Sequence, residues 1–240
     1  MKFANVILMI CALIVSVAAA HIFFKAGEVN PLEQERALYQ AKLEDTLKHA
    51  NNGDVHAQYS AGELYRMAKP PIRDYAQAFI WYRKAAEQGS ALSQYALGQM
   101  YAEGQGVKQN YYRAAEWYRL AANLARHPGA QFALGELYFR GRGVPSSQGL
   151  AIEWYRKAAN QGHAIAQFIL GQINKEGWGG EKNLIEAFKW LSLANRNAPA
   201  VIAHNSRNDP ISVLETLKKK MSRAQIREGE KALKAWKPVR

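Results

Sequence analysis

A glycine followed 19 residues later by a tryptophan recurs four times along this chain, at steps of 36, 37 and 36 residues. The glycines are Gly62, Gly98, Gly135 and Gly171; the tryptophans are Trp81, Trp117, Trp154 and Trp190. A fixed period of this length confines the fold to an array of small units, each burying its apolar face only against its neighbours. Other positions keep the same register. Gln58, Gln94, Gln131 and Gln167 stand four residues before each glycine, each followed by an aromatic: Tyr59, Tyr95, Phe132 or Phe168. Ala78, Ala114, Ala151 and Ala187 precede the tryptophans by three, and Ala85, Ala121, Ala158 and Ala194 follow them by four. Those offsets share one helical face, so the second half of each unit is predicted to be a helix with the tryptophan as its large anchor.

Helix boundaries are also legible. Asp74, Asn110, Ser147 and Asn183 lie seven residues before the tryptophans, and each is a side chain suited to accept an orphan N–H at a helix start. Gly104 and Gly106, Gly141 and Gly143, and Gly177 and Gly179 form Gly-x-Gly loops between the two helices of units two to four. Glycine there permits the positive φ of a tight turn. The first unit has Ala68, Pro70 and Pro71 in that place. A glycine inside the first helix costs about 1 kcal/mol against alanine, so its recurrence points to helices packed too closely for a Cβ. The extra residue of the 37-residue step falls between Ala122 and Gly129, in the connection between units.

The runs ALSQYALGQMYAEGQGVKQNYYRAAEWYRLAA and AQFALGELYFRGRGVPSSQGLAIEWYRKAANQG resemble the Sel1-like repeat, a longer cousin of the tetratricopeptide repeat. The likeness covers residues 53–197, as units 53–88, 89–125, 126–161 and 162–197. The end units depart from it: the first lacks the glycine loop, and the fourth has Asn174 and Leu191 at tyrosine positions. The resemblance implies an all-α fold, a right-handed superhelical solenoid of stacked antiparallel helix pairs, with roles in scaffolding protein complexes, often in bacteria. It also implies that first helices line the concave side. On that basis Tyr59, Tyr95, Phe132 and Phe168 face inward, with Glu63, Gln99, Glu136 and Gln172 one turn on, as a surface for a peptide or protein partner. The alternative for the aromatics is core filling between successive units. The Lys and Asn clamp for a carboxylate terminus is absent at these positions.

Outside the repeats, residues 1–24 pair Lys2 with an apolar run from Phe3 to Phe24 and end near Ala18, Ala19 and Ala20. This is either a cleaved signal peptide or an uncleaved single-pass anchor, and both put the bulk of the chain outside the cytoplasm. The only cysteine, Cys11, lies in this leader without a lipoprotein motif before it. Residues 31–52 read as an N-terminal capping helix with Leu38, Ala41 and Leu47 as its apolar face. Asn195 to Pro210 reads as a polar connection. Residues 210–237 read as a capping pair, one helix with a stripe of Ile211, Leu214, Leu217 and Met221, the next with Ile226, Leu233 and Trp236. Ser222 and Gln225 have capping-box spacing.

Net charge is +12, and residues 196–240 carry 11 basic against 4 acidic side chains. Lys218, Lys219, Lys220, Arg223, Arg227, Lys231, Lys234, Lys237 and Arg240 are either a solvated face or a patch for an anionic envelope polymer or membrane surface. No base-reading motif accompanies them, which argues against nucleic acid. No nucleophile elbow, phosphate loop, zinc-protease or paired-cysteine pattern occurs, so no cofactor, metal or small-molecule substrate is expected. The six histidines read as occupying non-equivalent positions. The sequence as a whole reads as a non-catalytic adaptor of the bacterial envelope; an enzyme with a site assembled across repeats ranks behind it.

Overall fold

The computed structural model describes residues 30–124 and 126–239; the leader at 1–24, Cys11 and Arg240 lie outside them. Among the described residues there are twelve helices and no strand. They are α1 (Pro31–Asn51), α2 (Val55–Met67), α3 (Tyr75–Glu87), α4 (Ala91–Glu103), α5 (Tyr111–Leu124), α6 (Pro128–Arg140), α7 (Gln148–Asn160), α8 (Ala164–Glu176), α9 (Leu184–Asn195), α10 (Ala198–His204), α11 (Pro210–Lys218) and α12 (Arg223–Ala235). Four pairs, α2/α3, α4/α5, α6/α7 and α8/α9, form the units. The second helix of each of the first three pairs packs on the first helix of the next. Core residues are therefore strung along the array in successive clusters rather than gathered at one centre.

The close approach at the repeated glycine is real, but its partner is not the tryptophan. A Cβ on Gly62, Gly98, Gly135 or Gly171 would collide with Tyr82, Tyr118, Tyr155 or Leu191, the residue that follows each tryptophan; at Gly135 the gap to Tyr155 would be 2.6 Å. These four side chains are at most 4% exposed. Adjacent helical residues point about 100° apart, so the tyrosine fills the space inside its own unit while the tryptophan turns to the unit before. Trp81 packs with Ala50 of α1, Trp117 with the cluster of Ala78, Tyr82 and Ala86, and Trp154 with that of Ala114, Ala121 and Ala122. Trp117 and Trp154 stay half-buried, and Lys157 sits 4.0 Å above the Trp154 ring.

The repeated glutamines join the units. Gln58, Gln94, Gln131 and Gln167 are 3–4% exposed and donate Nε2 to the carbonyls of Ala50, Ala86, Ala122 and Ala159, at 3.1–3.4 Å. Those carbonyls belong to the last turn of the preceding helix, where the i+4 donors run out; Ala50, Ala86 and Ala159 also accept from the N–H of Gly53, Gly89 and Gly162. The second glycine of each loop is a contact point too: a Cβ on Gly106 would meet the Tyr75 backbone, and one on Gly143 the backbone of Tyr111 and Tyr112, each in the unit before.

Second-helix caps form at Asp74, Asn110, Ser147 and Asn183, each accepting from the N–H three residues on. First helices are capped in register as well, by Asp54, Ser90, His127 and His163. The histidines are therefore not all at non-equivalent positions. Imidazole Nδ1 can accept like a cap oxygen, and His127 and His163 take the N–H groups of Ala130 and Ala166 at 3.2 and 3.3 Å.

The ends differ from expectation in detail. In α1 the buried residues are Leu43 and Ala50, with Tyr39 and Leu47 partly covered. Leu38 is 73% exposed and Ala41 faces solvent, because α1 packs on α2 through the adjoining stripe of Tyr39, Leu43, Leu47 and Ala50. Residues 195–210 are not simply a polar connection: α10 forms there and packs on α8. In α11, Leu214 and Leu217 are buried, as is Met221 in the turn that follows, while Ile211 is 52% exposed. The Ser222–Gln225 capping box closes on both sides, and α12 lays Gly229 against Phe188 of α9.

Candidate binding surface

Three positions of each first helix, at spacings of four and three, fall on one stripe. In α2 they are Tyr59, Glu63 and Arg66; in α4, Tyr95, Gln99 and Ala102; in α6, Phe132, Glu136 and Phe139; in α8, Phe168, Gln172 and Lys175. The aromatics have graded environments. Tyr59, Tyr95 and Phe132 are half-buried, with ring centroids 5.8–5.9 Å from Tyr82, Tyr118 and Tyr155 of their own units. Tyr95 also stacks on His127 at 4.6 Å, and Phe132 on His163 at 4.7 Å. Each of these two rings thus leans on the cap of the next unit's first helix. Phe168 is only 2% exposed, clustered with Val201, Phe188 and Leu191.

The polar members have local partners. Glu63 accepts from the Tyr82 hydroxyl at 2.5 Å and pairs with Arg66 at 3.0 Å. Glu136 accepts from Tyr155 at 2.6 Å and pairs with Arg140 at 2.9 Å. Burial, then the bond to the carboxylate, push Tyr82 and Tyr155 well above the usual phenol range, so both stay neutral donors. Gln99 donates to the Tyr95 hydroxyl at 3.1 Å. The fourth unit has Leu191 in place of the tyrosine, and the Oε1 of Gln172 is buried without a hydrogen-bond partner.

Burial drives His163 down to about 4, with the charges of His204 and His127 adding to it, and burial lowers His127. Both imidazoles are neutral near pH 7, as an accepting Nδ1 requires.

The basic residues form a separate region. Arg223, Arg227, Lys231 and Lys234 recur at spacings of four, four and three, all exposed on the side of α12 away from α9, with Glu228 and Glu230 on the same helix. Lys219 and Lys220 are exposed in the preceding turn, whereas Lys218 is half-buried and pairs with Glu215 at 2.9 Å. Among the described residues no three His, Cys, Asp or Glu side chains converge as a metal site, and no helix is long and apolar enough to cross a membrane.

Sequence reasoning passed over Arg66, Phe139 and α10. The first two stand four residues after the repeated glycine, so the register itself marks them; Phe139 is 49% exposed. Pro199 soon after Asn197 was the available sign of α10.

Comparison with known proteins gives a consistent answer. The Sel1 repeat matches four times, at residues 55–90, 91–125, 128–163 and 164–198. A protective antigen of uropathogenic Escherichia coli strains, with an SLR fold, is 31% identical at a TM-score of 0.68, over 81% of this chain and 40% of that one. A Sel1 repeat protein from Oxalobacter formigenes is 30% identical at 0.61, over 66% of this chain and 64% of that one. The chain thus spans less than two thirds of either relative. No curated protein matches it.

Proposed function

The chain belongs to the Sel1 repeat family, whose members are generally non-catalytic scaffolds for protein interaction, and on that premise we propose that it is an adaptor of the bacterial envelope. It holds a protein or peptide partner against the first-helix stripe of α2, α4 and α6. One observation carries this reading: Tyr59, Tyr95, Phe132 and Phe139 keep aromatic surface open along a stripe whose counterpart in the fourth unit, Phe168, is covered. Half-buried aromatics held rigid by their neighbours are the side chains that contribute most to interfaces. The apolar run at 3–24 and the likeness to a protective antigen support a place outside the cytoplasm, either freed by cleavage or tethered.

Tyr95→Ser and Phe139→Ser test the stripe, with partners crosslinked in native membranes and helicity followed in parallel. Both variants should lose the partner and remain helical. Phe139 is the decisive one, because it is exposed and stacks on no cap; partner capture undiminished in that variant rejects the stripe.

The basic stripe of α12 favours a second reading, binding to an anionic polymer or lipid surface. Deleting residues 211–240 would strip buried Leu214 and Leu217 from the core, so charge reversal at Arg227 and Lys231 is the cleaner test. Salt-sensitive retention on anionic vesicles, lost in that variant alone, would support it.

A further inference from the structure

One stretch of the first-helix stripe already has an occupant, and it is the chain itself. Helix α10 lies on α8; its Val201 is wholly buried beside Phe168 and Leu191, and its Ala198 is 7% exposed. His204 at its end meets Phe132 of the preceding unit edge-on, at 5.8 Å. The segment thus covers the fourth unit and touches the third. It has seven residues and no side-chain cap, far too few to be helical alone in water, so the surface beneath holds it in that form.

The stripe is also poorly suited to an extended chain. An extended peptide carries unpaired N–H and C=O groups that need partners, yet helices offer only side chains here. Glu63, Glu136 and Gln99 are already bonded to Tyr82, Tyr155 and Tyr95. A helix brings its own backbone hydrogen bonds. The acidic positions are paired with Arg66 and Arg140, so the stripe makes no strong demand for partner charge.

We infer that the open stripe over α2, α4 and α6 takes a short apolar helix of the α10 kind. Its buried edge carries alanine or a branched aliphatic residue at i and i+3, as at Ala198 and Val201, with a ring-bearing residue at i+6, as at His204. This rests on the stripe being the partner surface and adds the class of partner.

The test is selection of a displayed random dodecapeptide library on the full chain, with counter-selection on a Gln99→Ala/Phe139→Ser variant. Peptides with i, i+3 apolar spacing are expected, gaining helical circular dichroism on binding and losing at least tenfold in affinity when a central residue is changed to proline. Stripe-dependent peptides with alternating or proline-rich patterns overturn the helical occupant and leave the stripe standing. Peptides indifferent to the variant, or no enrichment at all, remove the stripe as the partner surface.

Discussion

At the level of single residues, the Gly98–Tyr118 contact decides how tightly the second unit closes. Alanine at Gly98 gains about 1 kcal/mol of helix propensity but drives a Cβ into the Tyr118 ring, which is 4% exposed and has nowhere to move. Overpacking of that kind costs about 1–3 kcal/mol, so Gly98→Ala should lower stability by about 1 kcal/mol net in denaturant unfolding. Gly171→Ala should cost a similar amount, because its Cβ would press on Leu191 Cγ at 2.6 Å and on the Leu191 backbone N at 3.2 Å. His163 makes a pH prediction. Its folded pKa of about 4 lies below the unfolded value of about 6.5, so between those values the unfolded chain binds the proton first. Stability from this site is intact above pH 6.5 and is lost as pH falls toward 4. Its neighbour His127 is shifted the same way, Phe132 stacks on the His163 ring, and the charge of His204 lowers His163 further. Asparagine keeps a cap acceptor without titrating. His163→Asn should therefore hold its melting temperature between pH 7 and 5 better than the parent, and identical profiles would rule out the cap as the acid-sensitive element.

Among the elements, the helix pairs could be read from the sequence and α10 could not, for reasons that lie in how each is stabilised. The pairs repeat, so caps such as Asn110 and turns such as Gly104 announce themselves by register. The glutamines also repeat, but their bond is to a carbonyl eight or nine residues back in another helix, and spacing within one helix does not reveal it. Histidine caps were hidden because an imidazole is read as a titrating group before it is read as an acceptor. The aromatics of the stripe were legible, but the covering of Phe168 was not, since Val201, which packs in its cluster, lies more than thirty residues further along the chain. Helix α10 has only seven residues and no side-chain cap, and owes its form to tertiary contact. Placing aspartate at Val201, which has no exposed surface, should cost about 3–5 kcal/mol, the usual penalty for an unpaired buried charge. Hydrogen exchange should then show α10, α11 and α12 opening first, with the amides of α2 to α5 still protected. Uniform loss of protection would mean that the C-terminal helices are not a separate module.

For the whole molecule, the stringing of the described core clusters along the array makes cooperativity a property of the joints. Each unit touches its neighbours through second helix on first helix, a glutamine on a carbonyl, and a tryptophan turned backward, so global stability is approximately a sum of unit and joint contributions. The joint between the second and third units is the informative one, since α5 there runs one residue longer than α3 or α7 and Arg126 adopts φ 52° in place of the positive-φ glycines found at Gly53, Gly89 and Gly162. Trp154 spans it, packed against Ala114, Ala121 and Ala122 of α5. Trp154→Ala removes that contact at about 3 kcal/mol, while the Tyr155 contact with Gly135 inside the third unit remains. The array should then melt in two steps, α1 to α5 apart from α6 to α12. Calorimetric enthalpy would exceed the van't Hoff value where the parent gives a single transition. A variant that melts in one step at lower temperature would show instead that the Gln131 bond and the backbone contacts at Gly143 suffice to couple the two halves, which would place the cooperativity in the main chain rather than in the indole.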